Sequence, residues 1–234
     1  MSIAERYLQV RDTVAGVCRT AGRNPDGVRL IAVTKYVETE RIAEAVAAGC
    51  RQAGENHAQE VREKLTFYKN NGITLHFIGQ LQTNKIKYIC GNAEYIHSVD
   101  RLSLLQALDA FAKKLGVRQN ILLQVNIGRE PQKGGVLPEA LFALTEAALG
   151  CANLSLQGLM CVPPESEPDK AGEYFAALRE LRDRLRTEFL TASSPQDLLS
   201  ELSMGMSRDY PEAIREGATM VRVGSAIFGA RGRL

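Results

Sequence analysis

The chain has 234 residues, 45% of them hydrophobic and 24% charged, with 29 basic against 27 acidic side chains and a net charge of +2. That composition is ordinary for a soluble globular protein long enough to bury a full core, and it excludes an overall field that would recruit nucleic acid or an anionic membrane. Cys18, Cys50, Cys90, Cys151 and Cys161 are odd in number and form no C-x-x-C pair, which argues against a disulfide framework or zinc knuckle and for a reducing, cytoplasmic compartment.

Residues 2–21 have the spacing of an amphipathic helix and no apolar signal core, and Gly22 with Asn24-Pro25-Asp26-Gly27 ends it. No apolar run approaches the ~20 residues that span a bilayer. Leu30-Ile31-Ala32-Val33 is an unbroken apolar run, as expected of a strand covered on both faces, and Lys35 closes it before a helix opens at Glu38-Thr39-Glu40. Further strands are predicted over 51–56, 74–79, 95–99, 120–127, 154–162, 201–205 and 220–228. Helices are predicted up to 68, over 85–90, 101–115 (capped by Asp100), 138–149, 170–189 and 210–216. Eight strand-helix repeats argue for a parallel sheet closed into a (β/α)8 TIM barrel, an α/β single domain over 1–234, with the extra N-terminal helix covering one end. A doubly wound open sheet is the weaker alternative, because no Gly-x-Gly-x-x-Gly turn is present.

Polar residues collect at the predicted C-terminal strand ends, where a barrel places its chemistry: Lys35, Asn56, His76, Ser203, Ser207, Arg222, Gly224 and Ser225. A lysine against apolar neighbours can act as a nucleophilic amine. Ser203-Met204-Gly205-Met206-Ser207 and Gly224-Ser225 offer hydroxyls and closely approaching backbone N–H groups, which suit a phosphate; turn chemistry with an N-cap at Ser207 would account for either stretch alone. Arg222, alternating with Val221 and Val223, needs a partner, either a barrel carboxylate or the ring nitrogen of a cofactor. Lysine, phosphate cradle and arginine together suit pyridoxal 5′-phosphate.

Other patterns carry less. Gly224 to Gly229 imitates part of a P-loop, but Ala230-Arg231 follows. His57, His76 and His97 form no metal pair, and His76 is expected to hydrogen-bond at its strand end. Glu60, Arg62, Glu63 and Lys64 have the pattern of a solvated helix face. Gln132-Lys133-Gly134-Gly135 could be a lid or a plain mobile loop, and 165–170 is acidic and expected to be mobile.

Five blocks carry a family likeness: Ile31-Ala32-Val33-Thr34-Lys35, Gly54-Glu55-Asn56, His76 through Lys85, Leu202 through Ser207, and Val221 through Gly229. From the N-terminal helix to the last glycine the sequence resembles the pyridoxal phosphate homeostasis protein family. The resemblance implies a barrel like the N-terminal domain of alanine racemase, with the cofactor held as a lysine imine on Lys35. It implies Ser203, Ser207, Gly224 and Ser225 at the phosphate, Arg222 toward the pyridine nitrogen and Asn56 near the ring. Many members carry threonine where this chain has Ser225, and either hydroxyl can serve. In the alanine racemase pattern a C-terminal domain supplies a tyrosine as second acid/base. This sequence ends at Leu234, just after the eighth strand, so the expectation is a carrier with little or no turnover. Its expected partners are the cofactor and PLP-dependent apo-enzymes, with no nucleic acid or membrane, acting as a monomer. The alternatives are an amino-acid racemase using Lys35 as single base and a cofactor-free Schiff-base aldolase.

Overall fold

A computed structural model describes residues 1–229 except 192, 193 and 196. Eight parallel strands close on themselves in sequence order: β1 (Arg29–Val33), β2 (Gln52–Glu55), β3 (Thr74–Phe77), β4 (Tyr95–Val99), β5 (Gln119–Val125), β6 (Leu154–Cys161), β7 (Glu201–Ser203) and β8 (Met220–Val223). Closure leaves no sheet edge to satisfy. Of the helices in chain order, α1 (Ile3–Thr20) precedes the barrel. Around the wall run α2 (Thr39–Ala47), α3 (Ala58–Asn70), α4 (Ile86–Ile89), α5 (Leu102–Leu115), α6 (Leu141–Leu149), α7 (Ala171–Phe189), α8 (Tyr210–Arg215) and α9 (Ser225–Phe228). The open-sheet alternative is thereby excluded.

Strand side chains alternate between two cores. Outward residues such as Leu30, Ala32, Ala53, Leu75 and Phe77 join the helices in the larger one, while Ile31, Leu122, Met160 and Met220 pack inside the barrel. The pleat that turns Ile31 inward also turns Met220 and Arg222 inward on β8.

Three sequence expectations change. α1 does not cover an end. Its stripe of Ile3, Tyr7, Val10, Val14 and Cys18 is buried, and it packs against α2, α8 and α9. It fills the place on the outer ring that the four-residue α9 is too short to occupy. The eighth strand stops at Val223 rather than running to Phe228, because the chain turns at Gly224 into α9. Asp100 does not cap α5. Its carboxylate instead takes Arg101 at 2.6 Å and the Gly135 amide at 3.3 Å, tying the 128–135 loop to the end of β4. That loop is further held by Lys133 donating to the Pro163 carbonyl and by Gln124 donating to the Gly134 carbonyl.

Candidate functional site

The site gathers at the C-terminal rim where β8, β1 and β2 stand side by side. Ile31 lies opposite Arg222, and Val33 opposite Gly54. A Cβ built on Gly224 would sit 3.3 Å from Val33 Cβ, so this position admits only a bare backbone without adjustment. Lys35 and Asn56 each lie two residues beyond the last positions paired between β1 and β2, at the C-terminal ends of those strands. Gly79 lets β3 press on that corner, since its Cβ would fall 2.1 Å from the Asn56 carbonyl oxygen. Asn56 Oδ1 is buried with no hydrogen-bond partner among the described residues, an exception to the rule that buried acceptors are paired.

Arg222 is 4% exposed, and among the described residues no carboxylate pairs with it. Nη1 donates to Ser203 Oγ at 2.6 Å and Nη2 to the Cys161 carbonyl at 2.8 Å, both neutral oxygens. Burial lowers its pKa, against the more distant attraction of Asp209. The barrel carboxylate weighed as its partner belongs instead to Arg29, which pairs with Glu201 lower in the barrel.

From Arg222 a single file of hydrogen bonds crosses the interior. Ser203 Oγ meets His97 Nδ1 at 2.8 Å, His97 Nε2 meets His76 Nδ1 at 2.9 Å, and His76 Nε2 meets Gln52 Oε1 at 2.7 Å. The Gln52 amide oxygen can only accept, so with both imidazoles neutral the file runs one way. Ser203 accepts from Arg222 and donates to His97. Each histidine is then neutral and carries its proton on Nε2. Burial enforces that neutrality: it lowers the His76 pKa to about 3 and drives His97 well below its usual value, with neighbouring positive charge adding to the effect. Burial likewise pushes the Cys161 thiol up to about 12.

His76 and Ser203 are both fully buried, with the two ring nitrogens and the hydroxyl taken by protein partners. Through these bonds both side chains support Arg222. Ser207 is not a helix N-cap, since Asp209 holds that place before α8. Its hydroxyl accepts from the amides of Gly224 at 3.2 Å and Ala226 at 3.4 Å, so a hydroxyl, a turn and Ser225 are drawn together above Arg222. Lys35, Asn56, Ser207, Arg222, Gly224 and Ser225 share the rim of β1, β2, β7 and β8.

The solvated-face reading of α3 fails for half its residues. Arg62 and Glu63 are exposed, but Lys64 is 8% exposed and is ion-paired to Glu55 at 3.1 Å and Glu60 at 3.0 Å. Glu55 Oε1 also accepts from Tyr68 at 2.6 Å and Thr34 at 2.8 Å. Burial pushes the Glu55 carboxyl up from its ordinary range, against the pull of Lys64. Glu60, Lys64 and Tyr68 recur at helical spacing on the stripe that carries buried Val61, and that spacing was the available signal. Just beyond Lys35, Tyr36 has φ 60°. Left-handed backbone in a tyrosine costs on the order of 1–3 kcal/mol and persists where its surroundings impose it.

A buried cation hydrogen-bonded only to neutral oxygens, an unpartnered oxygen on Asn56 and a tight backbone approach at Gly224 fit an aromatic aldehyde bearing a phosphate. A cleft of about 330 Å³ opens elsewhere, lined by Arg118, Ser155, Asp197 and others. It brings none of these groups together. Among the described residues there is also no cluster of His, Cys, Asp or Glu suited to a metal, and no helix long and apolar enough to cross a membrane.

Comparison with known proteins agrees with this geometry. The family profile described as "Alanine racemase, N-terminal domain" matches residues 10–232. The chain is 42% identical over 232 residues to a pyridoxal phosphate homeostasis protein of Aquifex aeolicus, covering 99% of each. It is 40% identical over 232 residues to the protein of that name from Pseudomonas aeruginosa, covering 98% of this chain and 96% of that one. Among solved structures, PipY of Synechococcus elongatus with PLP bound superposes with a TM-score of 0.83 at 35% identity, covering 97% of this chain and 100% of the other.

Proposed function

The chain belongs to the pyridoxal phosphate homeostasis protein family, built on the alanine racemase N-terminal-domain barrel, and from that membership we propose that Lys35 is the amine that holds the cofactor, with Arg222 toward the ring nitrogen, Asn56 beside the ring, and Ser207, Gly224 and Ser225 around the phosphate. The protein binds pyridoxal 5′-phosphate in vitamin B6 homeostasis and is not an enzyme. When bound, the cofactor supplies an aldehyde that condenses with an amine, making one C=N bond and releasing one water without a change of oxidation state.

The observation that carries the assignment is the uncompensated charge of Arg222, buried at the rim with neutral acceptors alone. An ion so placed is costly unless something entering the site answers it. A cation facing the ring nitrogen also disfavours protonation there and makes the ring a poorer electron sink, which suits retention over turnover. The hydroxyl of Ser207, already gathering two backbone amides, orders the turn that would meet the phosphate. We infer that the recipients are cytoplasmic PLP-dependent apo-enzymes and that the chain acts as a monomer. Five unpaired cysteines and a closed barrel without sheet edges support that reading.

Borohydride reduction of the PLP-loaded protein followed by peptide mass mapping tests the site. The added mass is expected on the peptide containing Lys35; its appearance elsewhere, or its absence, overturns the assignment. Incubation with L-alanine or L-serine in deuterated buffer addresses turnover, and sustained exchange at Cα at an enzyme's rate would overturn the carrier role.

A further inference from the structure

The two peptide groups that flank Lys35 are both held from α3. The Thr34 carbonyl accepts from Lys64 Nζ at 2.9 Å, and the Tyr36 amide donates to Glu60 Oε1 at 2.6 Å. Glu60 and Lys64 are four residues apart and ion-paired, so the two bonds come from one unit. Lys64 is anchored in turn by Glu55, which Tyr68 and the Thr34 hydroxyl also bind. Between the two holds, Val37 closes a turn onto the Thr34 carbonyl at 3.0 Å, with Tyr36 at the place where a positive φ usually selects glycine. A tyrosine stays there only if its surroundings over-determine it. The bond from its amide to Glu60 is one such constraint, and the contact of its hydroxyl with His57 Nε2 at 2.8 Å is another.

We propose that Glu60 and Lys64 are positioning residues for Lys35, a clamp from outside the barrel wall that fixes the turn and so presents the lysine amine inward at the rim. The inference rests on Lys35 being the amine that takes the cofactor. It assigns to α3 a role in that capture although the clamp's side chains lie behind the strands, among Thr34, Glu55 and Tyr68.

The test mixes cofactor-free protein with pyridoxal 5′-phosphate, follows the visible band in time, and measures amide exchange at Tyr36 without cofactor. In Glu60→Ala the rate of adduct formation is expected to fall about tenfold and the Tyr36 amide to exchange faster, with the melting temperature near that of the wild type. Glu60→Gln keeps an acceptor for that amide and should recover most of the rate. Lys64→Met alone would strand Glu55, so the hold on Thr34 is tested in the paired Glu55→Gln/Lys64→Met variant, which should also slow capture. Arg62→Ala, on the exposed face of the same helix, should change nothing. Wild-type rates and unchanged Tyr36 exchange in both clamp variants would overturn the positioning role while leaving Lys35 in place. A wild-type protein with no borohydride-fixed mass on Lys35 would overturn the Lys35 assignment and the clamp with it.

Discussion

Two buried cations stand on opposite sides of the barrel wall, and the protein treats them in opposite ways. Lys64, behind β1 and β2, is met by the carboxylates of Glu55 and Glu60. Arg222, inside the barrel, is met by a serine hydroxyl and a peptide carbonyl. The first charge is cancelled within the fold, so what it contributes is geometry: it holds a backbone. The second is oriented but left uncancelled, and its field is available to a ligand at the rim. Burial of a cation is thus no guide to function by itself; the identity of its acceptors separates a structural ion from a binding one.

Stability should separate the two ions most sharply. Lys64→Met leaves Glu55 buried without its counter-charge, a change that typically costs about 3–5 kcal/mol. Arg222→Met strands no carboxylate, so urea unfolding should find it within about 1 kcal/mol of the wild type, or above it, while it binds pyridoxal 5′-phosphate more weakly. Equal losses in the two variants would show that Arg222 is balanced inside the fold after all. A smaller effect follows from pH. Burial lowers the His76 pKa to about 3, so below the unfolded value of 6.5 the unfolded chain takes up a proton that the folded one refuses. Stability is then fully present above pH 6.5 and declines as pH falls toward 3, by roughly 2–3 kcal/mol per such histidine between pH 6.5 and 4.5. His76→Gln should flatten that slope in urea melts compared at the two pH values. A slope unchanged by the substitution would show that the interior file is not what acid breaks.

The same contrast explains what could be seen in the sequence. Alternating apolar runs and turn residues determine the barrel because period and repeat number carry topology directly, and the rim position of Lys35, Asn56, Ser207 and Gly224 follows from strand ends. The direction of Arg222 did not follow, since alternation leaves two faces open. Its partner could not be chosen either, because Glu201, the carboxylate on β7, lies opposite Arg29 only once shear sets the register. His97 belongs to no sequence motif and forms no metal pair, although it is the middle of the interior file. The α3 residues were misread because Glu and Lys at this spacing usually face water. The buried stripe through Val61 and Tyr68 that draws Lys64 inward is visible only when helical phase is weighed above composition. The helical turn at Ser225 was hidden for a related reason: Ile227 and Phe228 are apolar enough to pass for strand.

The finest test concerns direction within the interior file. The Gln52 oxygen imposes the order of donors because it can only accept, and Ser203, which accepts from Arg222, supplies the proton that completes it. Ser203→Ala should cost only about 1 kcal/mol, the ordinary net worth of a hydrogen bond plus a partly stranded partner. The protons should stay where they are. With Ser203 intact, both imidazoles carry the proton on Nε2, and nitrogen chemical shifts in labelled protein should report that single tautomer for His76 and His97. Without the hydroxyl, His97 Nδ1 loses its donor, but Gln52 still dictates the sequence from the other end, so the Nε2 tautomer is expected to persist at both histidines. A wild-type protein with its proton on His97 Nδ1 would place the donor on the wrong side of Ser203, and the Gln52 oxygen would then not be what orders the barrel interior.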